Sequence, residues 1–278
     1  MKRACLVLII FLLDTGVLWG ACSDTGNKLI KQKKIQAGMA ELQKCADKND
    51  PLSMALLGAI YSNGEFGINA DQDKGFAYHK KAADLGNPLG QFLTGKSLWN
   101  GRGVKQDKTA GLALMTKAAD QGNIEACYYV GFVHMNGQDG MPVNDYLALK
   151  YFGMADAAGN LDATVFLGTL VQQGRGVPKN EDLALKYFLK AAKKGNTGGQ
   201  CMAADIFINK EDYQNAFPLL LQAANAGDLI AQHAIGFFFW NGAGTQMNKS
   251  EAIKWWKECA SKGHQECNAA LNTAMLSK

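Results

Sequence analysis

The 278-residue sequence is poor in several things, and each shortage excludes a class of protein. It has five prolines and no Pro- or Ser-rich stretch, so neither a linker nor a second domain is marked. Net charge is small, +4, and falls to +3 without Lys2, Arg3 and Asp14, which makes no electrostatic case for DNA or RNA as a partner. The four histidines, His79, His134, His233 and His264, never form a His-x-x-x-His or Cys/His ligand pattern, so neither a metal nor another cofactor is expected. No serine begins a Ser-x-x-Lys motif, no Ser-Asp-Asn occurs, and Lys108-Thr109 leads to Ala110 rather than glycine. A serine hydrolase of that kind has no visible machinery, and no catalytic residue is assigned. The apolar run near the start, Ala4–Leu13, holds ten residues, too few to cross a bilayer.

What the chain does have is glycine, 31 residues of it, at recurring places. The stretch Leu161–Asn196, LDATVFLGTLVQQGRGVPKNEDLALKYFLKAAKKGN, aligns with Pro88–Asn123, PLGQFLTGKSLWNGRGVKQDKTAGLALMTKAADQGN, over all 36 residues. Copies start at Pro51, Pro88, Ile124, Leu161, Thr197 and Leu229, and half a copy at Gln265, with spacings of 37, 36, 37, 36, 32 and 36. A fixed period of this size marks a stacked-repeat solenoid.

Within one copy, Ala163, Phe166, Leu167, Leu170 and Val171 recur with helical spacing. Gly168 interrupts them, as Gly58, Gly95, Gly131 and Gly236 do elsewhere. A mid-helix glycine costs about 1 kcal/mol against alanine. Its return therefore predicts a partner helix too close for a Cβ. The helix stops at Asn63-Gly64, Asn100-Gly101, Asn136-Gly137, Gln173-Gly174 and Asn241-Gly242, where glycine can turn left-handed. A second glycine follows, then a polar cap such as Asp107 or Asn180, then a helix ending in Lys-Ala-Ala-x-x-Gly-Asn. Gly-Arg-Gly-Val at Gly101 and Gly174 is this turn and not a phosphate loop. Short turns force antiparallel helix pairs, each burying its apolar stripe against the next.

Ala163, Leu167-Gly168, Gly174-Arg175-Gly176-Val177, Ala184, Tyr187-Phe188 and Lys190-Ala191-Ala192 resemble the pattern of the Sel-1-like repeat family, relatives of tetratricopeptide repeats. The resemblance covers roughly Ala40 to the C-terminus. It implies an all-α, right-handed superhelical solenoid of antiparallel helix pairs. The expected division is an N-terminal cap with a half-repeat at 22–50, then repeats at 51–87, 88–123, 124–160, 161–196, 197–228 and 229–264, then a capping half-repeat at 265–278. Thr197–Asp228 departs from the pattern, lacking both turn glycines, and Pro218 is expected in the first turn of its second helix.

Met1-Lys2-Arg3 and the run Ala4–Leu13 read as a signal peptide, 1–21, and imply export to the periplasm or outside a bacterial cell. Two processing outcomes fit Leu18-Trp19-Gly20-Ala21-Cys22. Cleavage near Ala21 leaves a soluble mature chain and is preferred. Cleavage before Cys22, with lipid on its sulfur, would make an outer-membrane lipoprotein, although Trp19 stands where leucine is usual. Ser23–Ile35, with Lys28, Lys31, Lys33 and Lys34, reads as a solvated cap, and a helix from Ile35 leads into Lys44-Cys45-Ala46.

Cys259 and Cys267 stand eight apart, where the other repeats hold small pairs such as Ala82 with Gly90 and Ala191 with Gly199. These places are expected to touch, and a cystine fits such a gap. The spacing also resembles secreted cysteine-rich members of the family. Cys45 faces Ser53 in the same columns, and a Cys22–Cys45 pairing stays open. Cys127 and Cys201 read as small buried apolar residues.

Positions five, nine and twelve of the first helices share one stripe and vary most between repeats. The neighbouring stripe, with Leu57, Gly58 and Tyr61, is uniform and reads as core. The resemblance places the first helices on a concave inner surface. Two aromatic patches are therefore expected to bind a protein or peptide there: Phe92, Lys96, Trp99, Tyr128, Phe132 and Met135, and His233, Phe237 and Trp240. Lys96 would favour an acidic or carboxylate-bearing segment. The competing reading is that these rings pack between adjacent helices; Trp255 and Trp256 read as core. The function expected is an exported repeat scaffold without chemistry of its own. Two alternatives stand beside it: a β-lactam or peptidoglycan-fragment binding or hydrolysing protein of the cysteine-rich group, and a secreted effector that engages host proteins.

Overall fold

Residues 21–276 are described by a computed structural model. Residues 1–20 of the expected signal peptide and the side chain of Cys22 lie outside the described residues, and with them the lipid anchor and the Cys22–Cys45 pairing. The helices are α1 (Ala21–Lys31), α2 (Ile35–Ala46), α3 (Pro51–Asn63), α4 (Gln72–Asp84), α5 (Pro88–Asn100), α6 (Lys108–Asp120), α7 (Ile124–Asn136), α8 (Asp145–Ala157), α9 (Leu161–Gln173), α10 (Glu181–Lys193), α11 (Thr197–Asn209), α12 (Tyr213–Asn225), α13 (Leu229–Asn241), α14 (Lys249–Ser261) and α15 (Gln265–Leu276). There is no strand among the described residues, and the architecture is an all-α repeat solenoid.

One capping rule starts every helix from α3 to α14. Each follows an Asp or Asn whose side chain accepts the N–H three residues on, as Asp50 does from Ser53 at 2.9 Å and Asn160 from Ala163 at 2.8 Å. Such a cap stabilises by about 1 kcal/mol. The first helices α3, α5, α7, α9 and α13 stop at left-handed Gly64, Gly101, Gly137, Gly174 and Gly242. α11 has no such glycine; Lys210-Glu211-Asp212 joins it directly to α12, with Glu211 taking the left-handed turn at φ 58°.

Pro218 is not in the first turn of α12 but at its sixth position. The nitrogen of that position would normally donate to the Gln214 carbonyl. Both residues face solvent, where water can satisfy the freed carbonyl. A second correction concerns the N-terminus. Ala21–Lys31 is a helix with buried Ser23, Asn27 and Ile30, and Gly26 lies against Leu42 while Gly38 lies against Ile30. α1 and α2 are thus a full helix pair where a solvated cap and half a repeat were expected.

The chain divides into two compact units, one running to Val143 and one from Asn144. Both use the same internal packing. The eighth position of each second helix is buried, by His79, Met115, Phe152, Phe188, Leu220 and Trp256. A first-helix glycine faces most of these side chains: a Cβ at Gly168 would stand 2.5 Å from Phe188, and one at Gly95 2.8 Å from Met115. The close approach expected from the recurring glycine is therefore present. The second column of small residues is in contact too, since a Cβ at Gly90 would stand 2.6 Å from that of Ala82, and one at Gly199 2.7 Å from that of Ala191. No helix among the described residues is long and apolar enough to cross a membrane.

Candidate functional site

One opening in the second unit is built by α13, α14 and α15. Position eight of α14 is Trp256, which forms its floor. Gly236 lets the indole lie flat against α13, and its Nε1 donates to the His233 carbonyl at 3.0 Å. From α13, His233, Phe237 and Trp240 project at i, i+4 and i+7 and form one wall. Their rings interlock over the floor: Phe237 meets Trp256 edge-on at 5.0 Å, Trp240 meets it at 5.5 Å, and His233 meets Phe237 at 5.0 Å. α15 supplies the other wall with Ala269, Ala270, Thr273 and Ala274. The cleft between them measures about 560 Å³.

The two ends of the cleft differ in charge. Lys249 lies over the Trp240 ring at 4.7 Å, and Glu266 stands at the α15 end. Burial, and then the nearby imidazole of His264, push the His233 pKa down, while Glu266 pulls it up. His233 is therefore neutral at pH 7 and acts as a ring and a polar edge rather than a charge. Phe237 remains 41% exposed. The lining has apolar surface, one cation and one carboxylate, and no activated nucleophile. Such a slot can hold a side chain or short segment by apolar contact and orient it by charge.

The six residues expected in the first patch are not all on the surface. Phe92 is 2% exposed and Met135 is buried, so neither is a contact residue. Tyr129 of α7 covers Phe92, with ring centres 5.5 Å apart. Tyr128 meets Tyr129 edge-on at 5.6 Å and stacks with Phe132 at 6.4 Å. Lys96 lies 5.1 Å from the Tyr129 ring centre, and Lys108 lies 5.9 Å from that of Trp99. Lys96, Trp99, Tyr128 and Phe132 are half-buried. The patch is in large part a packing cluster, as the competing reading had it. The second patch opens on a cleft through all three of its residues, whereas of the first Lys96 lines a smaller groove.

Several lining residues escaped the sequence reading. Trp256 was assigned to the core, and it is buried, yet its face is also the cleft floor. Lys249 opens the second helix and Glu266 belongs to the next repeat, so no spacing within one helix relates them to Trp240. The signal available was the column itself: the bulkiest residue at position eight faces a glycine and sits below exposed Phe237 and half-buried Trp240.

Cys259, His264 and Cys267 bring their donor atoms within 4.8 Å of one another, the one such three-residue group among the described residues. The two cysteines are wholly buried, with Cα atoms 6.1 Å apart and their sulfurs facing at bonding distance. Pairing of those sulfurs would leave neither as a thiolate for a metal. Cys127 is buried and donates to the Ala119 carbonyl at 3.4 Å. Cys201 is half-buried, and burial pushes its thiol up to about 11, the Asp228 carboxylate adding to the shift. It is unreactive at neutral pH.

Comparison with known proteins adds family and fold. The family model described as Sel1 repeat matches residues 51–87, 88–123, 124–160, 161–196, 205–228 and 229–264. The shortened fifth match falls on the repeat that lacks its turn glycines. A protective antigen of uropathogenic Escherichia coli with an SLR fold is 26% identical, with TM-score 0.76 over 85% of this chain and 51% of its own. A Sel1 repeat protein from Oxalobacter formigenes shares the fold at TM-score 0.75 and 24% identity, over 87% of this chain and 97% of that one. Chitin synthase regulatory factor 3 of Schizosaccharomyces pombe is 27% identical over 105 residues, 38% of this chain. The chain thus spans about half the length of the antigen and 11% of the regulatory factor.

Proposed function

We propose that this chain, which belongs to the Sel1 repeat family, is an exported scaffold that holds a protein or peptide segment and performs no chemistry. The observation that carries the reading is the cleft of about 560 Å³ under Phe237 and Trp240, with an aromatic floor and small residues opposite. Exposed aromatic surface is costly in solution, and Tyr and Trp dominate interface energetics. A partner segment would seat an apolar side chain on Trp256 and meet Lys249 and Glu266 at the two ends. The match to the Sel1 repeat model over most of the chain fits protein–protein interaction and supports a binding role.

Export rests on Met1-Lys2-Arg3 with its apolar run, and on Cys259 facing Cys267. A disulfide there would belong to an oxidising compartment and stabilise by about 2–3 kcal/mol on the chain-entropy model. Peptide mapping of the unreduced protein checks it, and two alkylatable thiols at those positions would count against both the bond and export. The scaffold reading is tested by capture from envelope extract with wild-type protein and Trp240→Ala. A protein retained by the first and lost by the second supports it. Turnover of a chromogenic β-lactam by the purified chain would replace it with the hydrolase reading.

A further inference from the structure

The first unit has a groove at the same place in the repeat, built by α3, α4 and α5, and its chemistry is of another kind. Its floor, position eight of α4, is His79. The ring is 3% exposed and lies against Gly58, and neither nitrogen meets hydrogen-bond geometry with any protein group. The Ala55 carbonyl faces it, as the His233 carbonyl faces Trp256, and offsets only part of the burial that pushes the His79 pKa down to about 4. An apolar residue serves as floor in the next repeat, where Met115 holds the position. A histidine there costs stability that the Ala55 carbonyl offsets only in part.

The mouth of the groove, about 100 Å³, is lined by Ser62, Gln72, Lys96, Ser97 and Arg102, with no carboxylate among its lining residues. The acidic groups nearest by chain, Asp71 and Asp73, flank Gln72 without lining the groove, and Asp71 caps α4 by accepting the Lys74 N–H at 2.9 Å. Glu65 accepts from Asn63 at 3.1 Å. Arg102 has an internal control. It lies in the turn Gly101-Arg102-Gly103, which packs on the first residue of α4, since a Cβ at Gly103 would meet the Gln72 backbone. The identical turn Gly174-Arg175-Gly176 packs on the first residue of α8, which is Asp145. There the guanidinium is paired with the Asp145 carboxylate at 2.5 Å. In the first unit that position is Gln72, and no carboxylate of the described residues pairs with Arg102.

We propose that this groove binds a small oxyanion, a carboxylate or phosphate group carried by a ligand, between the Arg102 guanidinium and the His79 imidazole. Arg102 supplies a charge-assisted donor pair that Asp145 occupies in the other turn. Ser62 and Ser97 add hydroxyl donors. His79, buried beneath, takes up a proton as the anion arrives and then donates to it. The site does not rest on the scaffold reading, because it concerns a group and not a partner.

Histidine NMR of the whole chain tests it, with acetate and inorganic phosphate titrated separately at ionic strength held by chloride. His79 is assigned by its absence in His79→Met. The expected result is a saturable shift of the His79 ring signals with at least one anion, and a rise of its pKa from about 4. Arg102→Gln and Gln72→Asp, the second of which copies Asp145, should each weaken binding about tenfold or more. Arg175→Gln should leave it unchanged. Response to acetate alone assigns a carboxylate, and response to phosphate alone a phosphate ester. No saturable shift with either anion, or an undiminished one in Arg102→Gln, overturns the proposal.

Discussion

The two grooves occupy equivalent places in their repeats and share almost no chemistry. Ala59, Ser62 and Gln72 stand in one where Phe237, Trp240 and Lys249 stand in the other, and His79 stands where Trp256 does. The walls from the following first helix are Leu93, Lys96 and Ser97 in one and Ala270, Thr273 and Ala274 in the other. The backbone is not what distinguishes them. A repeat fold supplies the same trough between successive first helices, and each trough takes its character from the nine or ten residues that line it. One has become a wide apolar slot, the other a narrow basic one.

Removing the floors gives the largest effects. Trp256→Ala should destabilise the protein by about 3–5 kcal/mol, because the indole is buried and Gly236 cannot fill the space. Denaturant unfolding reads it, and a loss under about 1 kcal/mol would show that Trp256 is no structural floor.

His79 should respond to pH instead. Its folded pKa is depressed to about 4 from an ordinary 6.5, so the folded state resists protonation. The stability tied to neutral His79 is whole above pH 6.5 and lost as pH falls toward 4, by roughly 3 kcal/mol in all. His79→Met should remove that dependence and unfold later at pH 5; identical acid profiles would refute it.

The walls come next. Trp240→Ala should change stability by less than about 1 kcal/mol while weakening partner binding about thirtyfold, the equivalent of one 2 kcal/mol anchor. If it melts the protein by several kcal/mol, Trp240 is core and the apolar slot loses its claim. The turn arginines give the smallest difference. Arg175→Gln breaks a partly buried pair with Asp145 and should cost about 1 kcal/mol. Arg102→Gln, with no carboxylate partner, should cost nothing measurable. Equal losses in thermal unfolding would mean that the two turns are not different after all.

Much of this was legible before any coordinates. The left-handed stops and the Asp or Asn caps are local rules, fulfilled within three or four residues of chain, and the period and its recurring glycine are read by aligning the copies. Misreadings came where a contact is made elsewhere. Pro218 sits deeper in α12 than a proline rule allows because its turn of helix faces solvent. Ala21–Lys31 looked like a polar cap because, Ile30 apart, its buried positions are Ser23, Gly26 and Asn27, which only α2 makes sense of.

The sequence by itself determined the repeat, its helices, their caps and the columns that must touch, since each follows from spacing along one helix or one turn. It also determined which stripe of the first helices varies. Tertiary structure alone decided which members of that stripe are open. Phe92 and His233 both hold position five, yet Phe92 is covered by Tyr129 while His233 lines a cleft. The difference lies in the next first helix, which presents Tyr129 at its sixth position in α7 and Ala270 in α15. Burial of a side chain on such a stripe is set by the size of a neighbour one repeat away, and periodicity within a helix carries no information about that size.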